Sequence, residues 1–166
     1  EMYEFAVSLT AKIWNQFEII VVAHGKKTNF KFSKIKNVTL IWSKYYCEPN
    51  KFGLFDKNPA QRSIVHEGIL YAKSLNYSHI IKGRADSVII NKNLLLSMIN
   101  KNNDKFIFTQ QTSFSKPYLL GDCFMAGNIM DMEYLWGNDY KIVEKDGLKH
   151  FANQFMRLYN SSKFLN

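Results

Sequence analysis

Short apolar runs rich in β-branched residues alternate with stretches of helical periodicity, and this alternation limits the possible folds more than any other feature of the chain. The clearest run, residues 17–23 (FEIIVVA), is apolar almost throughout and ends at His24 and Gly25. Such a run is typical of a strand buried on both faces, as in a parallel sheet. The other strand candidates are residues 37–42, 79–82, 106–109 and 122–126.

Apolar residues at helical spacing fill most of the segments between these runs. The helix candidates are residues 2–14, 59–75, 92–99, 129–136 and the tail 140–164. Asn58 is the predicted N-cap of the second helix, with Pro59 at its first position. The order of elements predicts an α/β fold with a mostly parallel sheet and crossover helices. A length of 166 residues fits one domain.

Ligands of such sheets bind beyond the carboxyl ends of the strands, so the loops after those ends are the places to expect a site. Within residues 83–86 (GRAD), Arg84 and Asp86 directly follow a strand candidate. A carboxylate here is placed to hold a divalent cation, which would neutralise a diphosphate, and Arg84 is placed to pair with the same phosphates. An ordinary Arg–Asp ion pair that shapes the turn is the equally favoured alternative.

Two further motifs carry candidate site residues. Asp122 opens the apolar run 122–126, where it would serve as a general base or bind a substrate hydroxyl, unless it simply caps a turn. Gln61 and Arg62 fall in the first turn of the second helix, where free backbone N–H groups favour anions. Both side chains would face a nucleotide there. The alternative is that they are simply exposed to solvent in the first turn of the helix.

The charge of the chain predicts anionic partners. Its 22 Lys and Arg residues exceed its 14 Asp and Glu residues, which gives a net charge of +8. Only 3 of the 22 are Arg, the residue that base recognition favours, so a nucleic-acid partner is not expected. The lysine loop, residues 26–36, is either a solvated face or a surface attracted to an anionic membrane.

Several classes of protein are not expected. No apolar run approaches the roughly 20 residues of a membrane-spanning helix, and the start of the chain does not resemble a signal peptide. Cys47 and Cys123 match no metal-ligand spacing and fit buried thiols in a reducing compartment. The expected location is the cytoplasm, including the inner face of the membrane. The chain has no nucleophile elbow, P-loop or Rossmann glycine fingerprint.

The segment 58–127 resembles bacterial glycosyltransferases of the WavE lipopolysaccharide-synthesis type. Those proteins share a helix that begins with an Asn and Arg motif, a strand that ends Lys-x-Arg-x-Asp, and a later strand Asp-x-Phe-x-x-Gly. The matching segments here are 58–62 (NPAQR), 67–72 (EGILYA), 82–86 (KGRAD) and 122–127 (DCFMAG), in the same order.

The resemblance implies a single GT-A-like (Rossmann-like) domain over residues 1–166, an enzyme that transfers a sugar from a nucleotide-sugar donor to a cell-surface glycan. The acceptor would be lipopolysaccharide, capsule or a lipid-linked glycan, and peripheral membrane association is expected. By the same resemblance Asp86 would hold Mn²⁺ or Mg²⁺ and Asp122 would act on the acceptor. The substrate-binding residues implied are Gln61, Arg62, Lys82, Arg84 and Gly127.

Two departures from the family pattern qualify these expectations. Arg84 stands where the family's metal motif has its first Asp, so Arg84 itself would contact phosphate if no metal is held. The chain also begins at the helix that follows the family's first strand, so that a truncated domain with an incomplete sheet is expected. A non-catalytic α/β module for anionic or nucleic-acid ligands, and an inactive transferase-like scaffold, are the alternative functions.

Overall fold

We analysed a computed structural model of the chain, in which residues 2–44, 57–88, 90–101, 108–111 and 120–137 are described. The predicted tail helix, residues 140–164, lies outside the described residues. So do residues 45–56, which include Cys47, and residues 112–119.

Helices and strands alternate along the described chain, which confirms a mixed α/β fold. The elements in chain order are α1 (Met2–Ile13), β1 (Ile19–Ala23), the short 3-10 helix Lys31–Lys34, β2 (Val38–Trp42), α2 (Lys57–Ser74), β3 (His79–Gly83), α3 (Lys92–Lys101), β4 (Phe108–Gln111), β5 (Leu120–Asn128) and α4 (Ile129–Trp136). Each described element corresponds to a predicted one except the 3-10 helix, which forms inside the predicted lysine loop.

The described strands form two small sheets, and the expectation of a mostly parallel sheet is wrong for them. β1 and β2 pair in parallel, from Ile19 opposite Val38 to Ala23 opposite Trp42. β5 lies between β3 and β4 and is antiparallel to both. Met125 and Ala126 of β5 are both fully buried. An apolar run therefore reflects burial on both faces of a central strand, and it carries no information on the direction of that strand.

Helix α2 begins earlier than the sequence predicts. It starts at Lys57, so Asn58 is not its N-cap, and both Gln61 and Arg62 fall in the second turn instead of the first. Pro59 is tolerated at the third helical residue because the first four N–H groups of a helix have no partner within that helix.

One apolar cluster joins the two sheets through helices α2 and α4. Its fully buried members are contributed by α2, β5 and α4, and they are Ile69, Ala72, Met125, Ile129, Met132, Leu135 and Trp136. Ile20 of β1 and Ile80 of β3 pack against this same cluster. Both sheets are thus covered on one side by the same pair of helices.

The opposite side of the sheets is covered by α1 and α3. Val7 and Ala11 of α1 pack with Phe32 and Val38, while Trp14, just after α1, packs with Leu95 of α3 and Ala126 of β5. Ile19 of β1 and Ile81 of β3 lie against this second group. Neighbouring residues of β1 and of β3 therefore point into opposite layers, as the alternation of a strand requires.

Strands β1, β2 and β3 begin at the same end of the fold, where one carboxylate connects them. Glu18, just before β1, accepts a hydrogen bond from Thr39 Oγ1 of β2 at 2.6 Å and from the Tyr77 hydroxyl before β3 at 2.7 Å. These hydrogen bonds lower the pKa of Glu18, and the carboxylate raises the pKa of Tyr77. The carboxyl ends of the three strands consequently lie together at the other end.

Asn37 fixes the sharp turn between α1 and β1. Its side-chain Nδ2 donates to the carbonyl oxygens of Ala11 at 3.1 Å, Trp14 at 3.4 Å and Phe17 at 3.1 Å. Its own carbonyl accepts from Ile19 N at 2.8 Å at the start of the parallel pair. A single amide thus binds one carbonyl in the last turn of α1 and two in the turn that follows, and it sets where β1 meets β2.

Within the described part of the chain, no helix is both long and apolar enough to cross a membrane.

Truncation of the α2 core will destabilise the fold far more than truncation of its neighbour. Ile69 is 1% exposed and Leu70 is 43% exposed. We expect Ile69→Ala to lower the free energy of unfolding by about 2–5 kcal/mol and Leu70→Ala by less than about 1 kcal/mol. Urea denaturation of both variants checks the difference, and equal losses would contradict the described packing of α2.

Removal of the Asn37 amide will loosen the end of α1. We expect Asn37→Ala to cost about 1–3 kcal/mol in urea denaturation, because the carbonyls of Ala11 and Phe17 lose the donor that the Asn37 amide supplies. Asn15→Ala is the matched control, since Asn15 is exposed at the same end of α1. A loss at Asn15 as large as that at Asn37 would count against this role of the amide.

Candidate functional site

The turn after β3 carries the main candidate residues, Arg84 and Asp86. β3 ends at Gly83, and the backbone N–H of Ser87 donates to the Arg84 carbonyl at 3.2 Å. The Ser87 hydroxyl donates to the same oxygen at 3.1 Å. The chain therefore closes a four-residue turn, 84–87, in which Arg84 and Asp86 occupy the first and third positions.

Arg84 and Asp86 form a two-pronged ion pair across this turn. Arg84 Nε donates to Oδ1 of Asp86 at 2.9 Å, and Nη2 donates to Oδ2 at 2.7 Å. The side chain of Arg84 is 48% exposed and that of Asp86 is 26% exposed. The hydrogen bonds from Arg84 lower the pKa of the Asp86 carboxyl. The pair orients the guanidinium plane, but its exposure to water limits what it adds to stability.

The described residues do not fit the expected Mn²⁺ or Mg²⁺ ion. Both carboxylate oxygens of Asp86 already accept from a guanidinium, whose positive charge opposes a second cation at the same place. Among the described residues, no group of three or more His, Cys, Asp or Glu side chains is placed to hold a metal. The geometry instead matches the alternative that the sequence left open, an Arg–Asp ion pair within the turn.

The pairing of β3 with β5 places Asp122 and Gly127 at different ends of β3. Phe124 lies opposite Gly83, so the backbone of Asp122, two residues earlier in β5, lies near the turn 84–87. Gly127 is buried opposite Ile80, toward the start of β3. Five residues of strand separate Asp122 from Gly127 by about 17 Å. Asp122 shares an end of the sheet with Arg84, whereas Gly127 does not.

Gln61 and Arg62 also fall toward this end. The backbone N–H of Lys44, just past β2, donates to Glu67 Oε2 of α2 at 3.3 Å, which sets Glu67 near the strand ends. Gln61 lies six residues before Glu67, which places it about 9 Å nearer to the start of α2 along the helix axis. Gln61 is half-buried, and the Arg62 side chain is not among the described ones.

Lys82 is placed differently from the other candidates. Lys82 is a residue of β3 that lies opposite Met125 of β5, on the face of the sheet that α4 covers. Its Nζ is buried and lies 5.3 Å from the centre of the Trp136 ring. A cation over an indole ring is a favourable arrangement. Trp136 could not be predicted from the sequence as the partner of Lys82, since that contact depends on how α4 packs on β3.

Asp131 is a second residue that the sequence analysis did not single out. It is 5% exposed in the first turn of α4. Asn128 caps this helix by accepting a hydrogen bond from Met130 N at 2.8 Å. An Asn three residues before an acidic residue, ahead of an apolar helix, is the pattern that would have identified this helix start.

The chain has no match among protein-family models, curated proteins or solved structures.

Loss of Arg84 will raise the pKa of Asp86. That pKa is lower in the folded chain than in the unfolded chain. The ion pair therefore stabilises the fold at pH values above the unfolded pKa of about 3.9, and this stabilisation is lost as the pH falls through the folded pKa. In a carboxyl NMR titration we expect a midpoint below about 3.9, rising toward it in Arg84→Gln. Lys92→Gln is the control, and an Asp86 midpoint that Arg84→Gln leaves unchanged would contradict the ion pair.

Proposed function

We propose that this chain is a glycosyltransferase that binds the diphosphate of a nucleotide-activated sugar at the turn 84–87. The observation that carries the proposal is the half-exposed guanidinium of Arg84, which Asp86 orients at the carboxyl end of β3. The carboxyl ends of β1 and β2 lie at this same end of the fold.

Arg84 suits a diphosphate because of its shape as well as its charge. A guanidinium offers five N–H donors in one plane, which matches phosphate oxygens in a way that an ammonium does not. The Asp86 ion pair holds that plane before a ligand arrives, so less side-chain freedom is lost on binding. In the reaction, Arg84 would stabilise the negative charge that develops on the departing nucleoside diphosphate.

Asp122 is the proposed group on the acceptor side. Its backbone lies at the same end of the sheet as Arg84. In an inverting transfer, Asp122 would take the proton from the acceptor hydroxyl as that oxygen bonds to the anomeric carbon of the sugar. Gln61 and Arg62 on α2 would bind the nucleotide. The acceptor class we propose is a cell-surface or lipid-linked glycan, assembled on the cytoplasmic side of the membrane.

A GT-A-like fold is part of this proposal. What supports it is the alternation of helices and strands along the described chain, which a Rossmann-like domain shares.

Binding of nucleoside diphosphates tests the proposal directly. A ligand at one hundred times its Kd stabilises a protein by about 2.7 kcal/mol, which raises the Tm by roughly 5–10 °C in a chain of this size. We expect UDP or GDP to produce such a rise in a thermal-shift assay of the unmodified protein. The rise should survive EDTA and should be lost in Arg84→Gln.

A second pair of variants distinguishes nucleotide binding by Arg84 from nucleotide binding through a metal ion on Asp86. Asp86→Asn should keep most of the nucleotide-induced rise, since the guanidinium remains, whereas a metal site would lose it. Lys92→Gln removes a positive charge at the opposite end of the strands, beside Gln16, and should change nothing. The proposal fails if no nucleotide stabilises the protein, and salt-sensitive RNA binding in its place would favour the non-catalytic module.

A further inference from the structure

Helix α1 is apolar on two opposite sides, although the described core covers only one of them. Val7 and Ala11 are buried against Phe32 and Val38. Phe5 and Leu9 lie about 200° around the helix from Val7 and from Ala11 respectively, at 100° per residue. Phe5 is 70% exposed and Met2 is 65% exposed. Met2 and Phe5, followed one turn later by the half-buried Leu9, form a stripe at positions i, i+3 and i+7, which we call the α1 stripe.

The apolar surface broadens at the start of α1. Tyr3 lies one turn before Val7, on the side that faces Phe32, and it is 55% exposed. Met2, Tyr3 and Phe5 are thus three large exposed apolar side chains within the first four residues of the helix. Single exposed apolar residues are ordinary, but three large ones on one turn of a helix mark an interaction surface.

The lysine loop, residues 26–36, lies against this end of α1. Glu4 Oε1 accepts a hydrogen bond from the backbone N–H of Lys31 at 2.8 Å. The side chains of Lys26, Lys27, Lys31, Lys34 and Lys36 are all exposed. From residue 19 to residue 47 the chain has six Lys and no Asp or Glu. The apolar start of α1 is therefore bordered by a surface of one charge sign.

We propose that the α1 stripe and the lysine loop together bind the surface of an anionic lipid bilayer. Met2, Tyr3 and Phe5 would enter the boundary between headgroups and acyl chains, while the lysines contact lipid phosphates. An exposed apolar face with aromatic residues beside lysines is the composition of helices that lie in a membrane interface. This surface is independent of Arg84 and of the reaction proposed above.

The charge pattern favours a bilayer over the other occupants of an apolar helix face. A second copy of this chain would bring an equally positive surface against the first, and the two would repel each other. Nucleic acids are bound better by arginines than by lysines, and a bound nucleic acid would leave the exposed apolar stripe uncovered. Lysine ammonium groups suit the diffuse charge of a membrane, where each contributes without a fixed geometry.

Vesicle binding by paired variants tests this surface. We expect the 166-residue chain to co-sediment with phosphatidylglycerol-rich vesicles and not with pure phosphatidylcholine vesicles. The double variant Lys31→Ser/Lys34→Ser should lower the partition coefficient roughly 30-fold, about fivefold for each lysine. Phe5→Ser should lower it about tenfold or more, because a buried aromatic side chain is lost from the interface.

The control variants remove the same chemistry from the other end of the strands. Lys73→Ser/Lys92→Ser makes the same change in charge, and Ile90→Ser removes an apolar side chain that is 76% exposed. Both controls should bind vesicles as the unmodified chain does. Equal losses in variants and controls, or equal binding to both vesicle types, would overturn the proposal. So would a concentration-dependent dimer that Phe5→Ser abolishes, or RNA binding that competes with anionic vesicles.

Discussion

The packing of α2 and α4 across both sheets is the interaction on which the rest of the described structure depends. The parallel pair β1–β2 and the antiparallel sheet of β3, β5 and β4 are not hydrogen-bonded to each other. Ile69 on α2 and Trp136 on α4 belong to one buried cluster, against which β1 packs through Ile20 and β3 through Ile80. Side-chain packing, assisted by the hydrogen bond between Glu18 and Tyr77, therefore sets how the sheets lie relative to each other.

The candidate site is a consequence of this packing. The turn 84–87 stands at a strand end whose position is set by the register of β3 on β5, and β5 is anchored by the fully buried Met125. The same register brings the backbone of Asp122 to this end and sends Gly127 to the other. The site therefore needs no long loop to bring Arg84 and Asp122 together, because two neighbouring strands of opposite direction do so.

The sequence predicted the existence and kind of the described helices and strands well, because periodicity and β-branched runs are local properties. It could not predict that β5 is antiparallel, since Met125 and Ala126 would be buried in either direction. At the site, Arg84 and Asp86 lie two residues apart, and their ion pair was one of the two alternatives that the sequence left open. The contact of Lys82 with Trp136 joins residues 54 positions apart, and only the packing of α4 on β3 determines it.

The two proposals concern the same end of the molecule. α1 is joined to β1 by a short turn that Asn37 holds, and it packs back along β1, so its first residues lie toward the carboxyl ends of the strands. Arg84 also lies at that end. A chain bound to a bilayer through Phe5 and the lysine loop would therefore carry the proposed donor site on the same membrane-bound molecule, so that a lipid-linked acceptor would meet it by a search in two dimensions.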